Sequence, residues 1–196
     1  MRASIRSATI LGARGHPVNV EVHVGKGLPT FSMLGLPDES CREARDRVRA
    51  AIVSSGVPWP DKKIIVNLAP PSYRKTGSGL DLAIAVGLLV AFEVVPADVV
   101  CDLCFIGELG LDGTVRRVPG IAPMVGVHAD HDWVVPHDAV AEAKVVARGL
   151  VRPIGKLDRL IEALTGAGSW PEYDPSPGPS ATEAPDADVH DLAEVK

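Results

Sequence analysis

Apolar and polar positions change their spacing abruptly within residues 62–89. Residues 64–68, Ile-Ile-Val-Asn-Leu, form a short apolar run of strand length; residues 70–79 are rich in Gly and Pro and carry Arg74 and Lys75; over 80–92 apolar residues follow one another almost unbroken. These patterns predict a buried strand, a tight basic turn and an apolar helix in that order. A turn of this kind usually presents chemistry. Upstream, residues 8–12, 18–24 and 30–34 are strand-like runs separated by Gly and Pro turns, and they predict an N-terminal β-meander. Pro37 then opens a helix that runs to Ser55 and stops at Gly56, with Asp38 and Glu39 near the positive end of its dipole. Downstream, residues 105–118 predict a hairpin turning at Asp112-Gly113. The remainder predicts a helix at 121–128, a strand at 133–135, a helix at 139–144, a strand at 145–147 and a final helix at 156–164. The alternation of strands and helices predicts an α/β (α+β) fold without internal repeats.

Composition separates a folded part from a tail. The chain has 196 residues, 46% of them hydrophobic, enough for one compact domain of roughly 165 residues. We expect a domain of residues 1–168 and a linker of 169–196. Residues 171–195 are rich in Pro, Ser, Ala, Asp and Glu, with too little apolar surface to offset the entropy of ordering, so a disordered acidic linker is expected. The tail holds Glu172, Asp174, Glu183, Asp186, Asp188, Asp191 and Glu194 against Lys196 alone. Removing those seven acids and one lysine from the chain's 25 Asp+Glu and 20 Lys+Arg leaves 18 acidic and 19 basic residues. The folded part is near neutral, so local rather than global charge must decide for or against a nucleic acid. No apolar run approaches the roughly 18 residues of a membrane span, and no signal-peptide core follows Met1, which predicts a cytoplasmic protein without a membrane partner. Three cysteines fit a reducing compartment.

Candidate chemistry is sparse. Cys101 and Cys104 form a CxxC at the entry to a strand, but no second CxxC completes a zinc site, and both read as buried apolar thiols. His128, His131 and His137 lie near Asp130 and Asp132 without the i,i+4 spacing of a helical metal pair; they read as a polar surface loop, and no metal is expected. A phosphate-binding loop needs Gly, four residues, then Gly-Lys-Ser/Thr; at Lys75-Thr76 the second Gly is replaced by Arg74, so no nucleotide cofactor is expected for this chain. Ser78 reads as the cap of the helix that follows, and Asp81 as a structural carboxylate in its first turn. Arg42, Arg45 and Arg49 share one helical face, with Glu39, Glu43 and Asp46 at ion-pair spacing. They read first as a salt-bridged, solvated face and second, together with Arg74 and Lys75, as nucleic-acid candidates. Arg116 and Arg117 are weaker candidates for the same surface. Aromatic residues make up 4% of the chain, too few to suggest a base-stacking platform.

Two stretches carry a family resemblance. Lys75-Thr76-Gly77-Ser78-Gly79-Leu80-Asp81 resembles the nucleophile turn of Lon-type Ser-Lys proteases, Lys-Asp-Gly-Pro-Ser-Ala-Gly, in which the serine stands at the start of a helix. The Lys and first Gly keep register, whereas the serine position is Gly79. Residues 107–122, GELGLDGTVRRVPGIA, resemble the hairpin that leads to Lon's catalytic lysine, and that position falls on Ala122. The resemblance implies a Lon-proteolytic-domain-like fold (also called ribosomal protein S5 domain 2-like) with two vestigial catalytic positions, a pseudoenzyme. More widely, residues 35–89 and 107–120 are similar, in the same order, to the N-terminal domain of the YifB/ComM family, often labelled magnesium-chelatase-like AAA+ ATPases. The similarity covers about residues 5–164. In that family an inactive Lon-like domain precedes a AAA+ module, and residues 190–196, HDLAEVK, resemble the segment that opens it.

The resemblance therefore implies a fragment: a non-catalytic N-terminal accessory domain whose missing module would hold ATP and magnesium. ComM-type proteins act as hexameric DNA helicases in branch migration during recombination and natural transformation, and the inactive Lon-like domain of the RadA recombination ATPase suggests oligomerisation and DNA passage. The partners implied are further copies of the chain and DNA. Competing expectations are a cryptic Ser-Lys peptidase using Ser78, or an ATP-dependent magnesium-chelatase-like activity of the parent protein.

Overall fold

The computed structural model describes residues 1–35, 38–71 and 78–174, with backbone only at 38 and 39. Nine strands and five α-helices are found among them: β1 (Arg2–Leu11), β2 (Arg14–Gly25), β3 (Thr30–Leu34), α1 (Asp38–Ser54), β4 (Lys63–Ala69), α2 (Asp81–Ala91), β5 (Leu103–Phe105), β6 (Glu108–Leu109), β7 (Val115–Arg116), α3 (Ile121–Val125), β8 (Asp132–Pro136), α4 (Val140–Lys144), β9 (Val151–Ile154) and α5 (Leu157–Thr165). Seven strands form one mixed sheet in the order β3-β4-β2-β1-β5-β8-β9, and β6 and β7 form a separate two-stranded ribbon. The fold is α/β.

The expected β-meander is corrected at its third strand. β1 and β2 pair as a hairpin from Arg2 opposite His23 to Leu11 opposite Arg14, but β4, not β3, lies antiparallel beside β2, and β3 runs parallel to β4 at the sheet edge. Two physical reasons apply. A helix stands between β3 and β4 in the chain, and a helical crossover joins parallel neighbours. Ile64, Val66 and Leu68 of β4 are fully buried, whereas β3 half-buries only Phe31 and Met33; the more apolar strand takes the interior place.

Successive residues of the central strands feed two different cores, as the two-residue period of a strand requires. Leu103, Phe105 and Val134 point to the core shared with α1, α2 and α5, whereas Cys104, Trp133 and Val135 point to the core under α3 and α4. Every residue of α2 is buried, which explains its nearly continuous apolar sequence. Among the described residues no helix is long and apolar enough to cross a membrane.

One further expectation shifts. Residues 145–147 form no strand; their N–H groups close the end of α4 on the carbonyls of Glu142 and Ala143. The strand is β9, whose Pro153 weakens its strand signal and is tolerated because β9 is an edge. Past the boundary expected at 168, Arg152 stacks over the Trp170 ring at 4.7 Å and Lys144 over the Tyr173 ring at 4.8 Å. The linker assignment of residues 175–196 lies outside the described residues.

Candidate functional site

The turn into α2 meets the β6–β7 hairpin over a cleft of about 340 Å³. Its walls include Thr9 and Ile10 of β1, Ser78 and Gly79 before α2, Glu108, Arg117 and Val118 of the hairpin, and Met124 of α3. Backbone bonds hold the two sides together: the Leu82 N–H donates to the Gly107 carbonyl at 3.1 Å, and the Gly107 N–H donates to the Gly79 carbonyl at 3.0 Å. Gly79 stands in the cleft without a side chain; a Cβ there would lie 3.3 Å from Val118 Cγ2.

The polar groups around that gap are paired with one another. Ser78 Oγ donates to Glu108 Oε2, so Ser78 does not cap α2 as expected; no side chain caps that helix, because the Gly107 carbonyl already takes the Leu82 N–H. Ala122, the position expected for the lysine, lies in the first turn of α3. Its N–H donates to Glu142 Oε1 at 2.9 Å, while Glu142 Oε2 accepts from Arg117 Nη2 at 2.6 Å. Among the described residues lining the cleft there is no lysine or histidine. Among the described residues, the Ser78 hydroxyl faces a carboxylate rather than an amine. Glu108 and Glu142 carried no sequence signal, since their partners lie 30 and 20 residues away.

Asp81 occupies the structural role expected, through a partner that the sequence did not indicate. Its carboxylate is 1% exposed and accepts from Arg47 Nε at 2.7 Å, from Arg47 Nη2 at 3.3 Å and from the Leu109 N–H at 3.3 Å. One ion pair thus ties α1, α2 and the hairpin. Burial pushes the Asp81 carboxyl up to about 6, against the opposing pull of Arg47.

The basic face of α1 is less regular than predicted. Arg45 Nε meets the neighbouring Asp46 at 2.9 Å, Glu43 reaches Arg47 rather than the three expected arginines, and Arg49 lies over the Trp59 ring at 5.7 Å. Among the described residues no carboxylate pairs with Arg42. Arg74 and Lys75, and the side chain of Glu39, lie outside the described residues. Arg116 is exposed, and Arg117 is engaged by Glu142.

The remaining candidates are drawn into local packing. Cys104 is fully buried and its thiol is pushed up to about 12 by desolvation, whereas Cys101 is exposed, contrary to the expectation of two buried thiols. The His128 ring lies 5.4 Å from His131 and 6.4 Å from Trp133, and burial lowers its pKa. Asp130 and Asp132 pair with Arg148 at 3.0 Å and Arg152 at 3.4 Å.

Residues 20–139, from β2 through this cleft to the turn before α4, match the family of subunit ChlI of Mg-chelatase, and the chain belongs to that family of Mg-chelatase-like ATPases. The resemblance to YifB and ComM is found in its relatives. The protein YifB of Escherichia coli (strain K12) is 47% identical over 116 residues, covering 59% of this chain and 23% of that protein. Competence protein ComM of Haemophilus influenzae is 38% identical over 123 residues, 63% of this chain and 24% of that protein. The protein Mb2921c of Mycobacterium bovis is 37% identical over 183 residues, 89% of this chain and 36% of that protein. The chain thus spans about a quarter to a third of the length of these relatives.

Proposed function

We propose that this chain is a non-catalytic accessory domain of a YifB/ComM-type AAA+ ATPase, cytoplasmic, supporting assembly of a homo-oligomeric ring and contacting DNA. The observation that carries this reading is the cleft at Gly79: the expected nucleophile position has no side chain, Ala122 stands at the expected lysine, and nearby Ser78 bonds to Glu108 and Arg117 to Glu142. A Lon-like domain kept in this form has value as a scaffold rather than as a peptidase. ATP and magnesium belong, in this proposal, to the remainder of a longer parent protein, hexameric when assembled and acting in branch migration during recombination and transformation. The name of the relative competence protein ComM fits that role.

DNA contact rests on Arg74 and Lys75 in the Gly-rich turn, with Arg49 on α1 as an accessory charge. Replacing Arg74 and Lys75 together by Ala is expected to weaken duplex binding for all sequences and to reduce the salt slope by about 2, read by fluorescence anisotropy at several salt concentrations. Unchanged affinity and slope would remove DNA from the proposal.

The competing reading is a cryptic peptidase, favoured by one observation: Ser78 Oγ faces a carboxylate inside a cleft. Peptidase activity that disappears in Ser78→Ala would establish it in place of the accessory role. We expect no turnover in either protein.

A further inference from the structure

The two edges of the seven-stranded sheet differ. At β9, Pro153 removes an N–H from the strand, and the segment after α5 packs there through Trp170 on Arg152. At β3, among the described residues, neither a proline nor a packed segment is found, and of its backbone groups the Met33 carbonyl accepts from Cys41 Sγ at 3.7 Å. Thr30-Phe31-Ser32-Met33-Leu34 holds no charge and no proline, pairs with β4 on one side only, and ends in a Leu34 that is 55% exposed. Sheets avoid open edges by charge, proline, bulges or a covering segment, because unpaired backbone groups recruit another strand.

Beside this edge lies a cleft of about 430 Å³ between β3 and α1, lined by Phe31, Met33, Cys41, Arg42 and Arg45. Phe31 and Met33 supply its apolar part, and Arg42 and Arg45 give it a cationic wall. Arg42 is exposed, and Arg45 meets Asp46 in a pair whose acid is 66% exposed, an interaction that a better-placed carboxylate displaces at little cost.

We propose that β3 and α1 form an acceptor groove for an extended acidic peptide from another protein, whose backbone adds to β3 and whose carboxylate lies against Arg42 and Arg45. The main chain supplies affinity by completing the sheet, and alternate side chains supply specificity on the groove side: apolar over Phe31 and Met33, acidic at the arginines. A second copy of this chain is a poorer occupant, since antiparallel pairing of β3 with itself brings two sets of Arg42 and Arg45 towards one another. DNA is also poorer, because it has no row of peptide N–H and C=O groups with which to add to β3. The groove stands independently of the accessory role proposed above.

The test uses the whole chain and a fluorescein-labelled, amidated Thr-Val-Thr-Glu-Thr-Val-Thr peptide, titrated by fluorescence anisotropy. Saturable one-to-one binding is expected, weakened about tenfold when the peptide glutamate becomes glutamine and likewise in Arg42→Glu/Arg45→Glu. N-methylation of alternate peptide amides is expected to abolish binding for one set of positions and spare it for the other, because only one set faces β3. The glutamine and N-methyl arms alter the peptide alone, so a folding defect of the variant cannot imitate them. No saturable binding, equal binding of both N-methyl sets, or equal binding of the glutamine peptide overturns the proposal. Self-association of the chain that excludes the peptide overturns it in favour of a second copy, and displacement of the peptide by a short DNA duplex overturns it in favour of DNA.

Discussion

At the scale of single residues, the pair of Asp81 and Arg47 is the clearest case of burial competing with charge. Asp81 is pushed from an ordinary 3.8 to about 6 by desolvation, although Arg47 grips it with two N–H groups. The folded protein therefore holds more protons than the unfolded chain between those values. Stability from this group falls as pH rises from about 3.8 to about 6 and is level above. Arg47→Met leaves a buried carboxylate without its partner, and we expect a loss of about 3–5 kcal/mol at pH 8. At pH 5 Asp81 is largely protonated and the loss should be clearly smaller; urea unfolding at the two pH values measures both. An equal loss at both would mean that Arg47 acts by packing alone. The sequence marked Asp81 as structural, yet its partner lies 34 residues earlier. Arg47 is set among Arg45, Asp46 and Arg49, and no local pattern distinguishes it. Ser78 shows the same limit: a serine before a helix caps it by default, and only the nearness of Gly107 and Glu108 redirects it.

At the scale of elements, α2 lies unusually close to the β1–β2 hairpin. A Cβ on Gly87 would stand 2.8 Å from Val22 Cγ2 and 3.4 Å from Ile5 Cγ1, both in the core. Gly87→Ala gains about 1 kcal/mol of helix propensity but overpacks this contact by about 1–3 kcal/mol. We expect net destabilisation of about 1 kcal/mol, seen as a lower urea midpoint, whereas Gly126→Ala, with nothing within 4 Å of the new Cβ, should be neutral or slightly stabilising. The elements themselves were largely legible. The apolar run behind α2, the Asp112-Gly113 turn and the Pro37 and Gly56 signals that bound α1 fixed their types, because each depends on the identity of neighbouring residues. Placement was less so. Residues 145–147 are apolar enough for a strand, but α4 ends there and their N–H groups are used to close it; β9 was hidden by Pro153.

At the scale of the whole molecule, contacts with the domain continue past residue 168. Trp170 and Tyr173 are isolated aromatics in a Pro-rich acidic stretch, yet each lies against a cation of the domain. Trp170→Ala/Tyr173→Ala is expected to cost about 1–2 kcal/mol, measured by thermal or urea unfolding. No change would place this segment outside the cooperative unit. By itself the sequence determined the alternation of strands and helices, the glycine and alanine at the two expected catalytic positions, and the family. These are properties of residue identity and local period. The tertiary structure alone decided that β4 displaces β3 from the middle of the sheet, that Arg47 closes on Asp81, that Glu142 bridges Arg117 to the Ala122 N–H, and that Trp170 meets Arg152 on the β9 edge strand. Each of these joins groups far apart in the chain, and such pairings are settled by competition among elements for burial and for hydrogen-bond partners, which no stretch of sequence records alone.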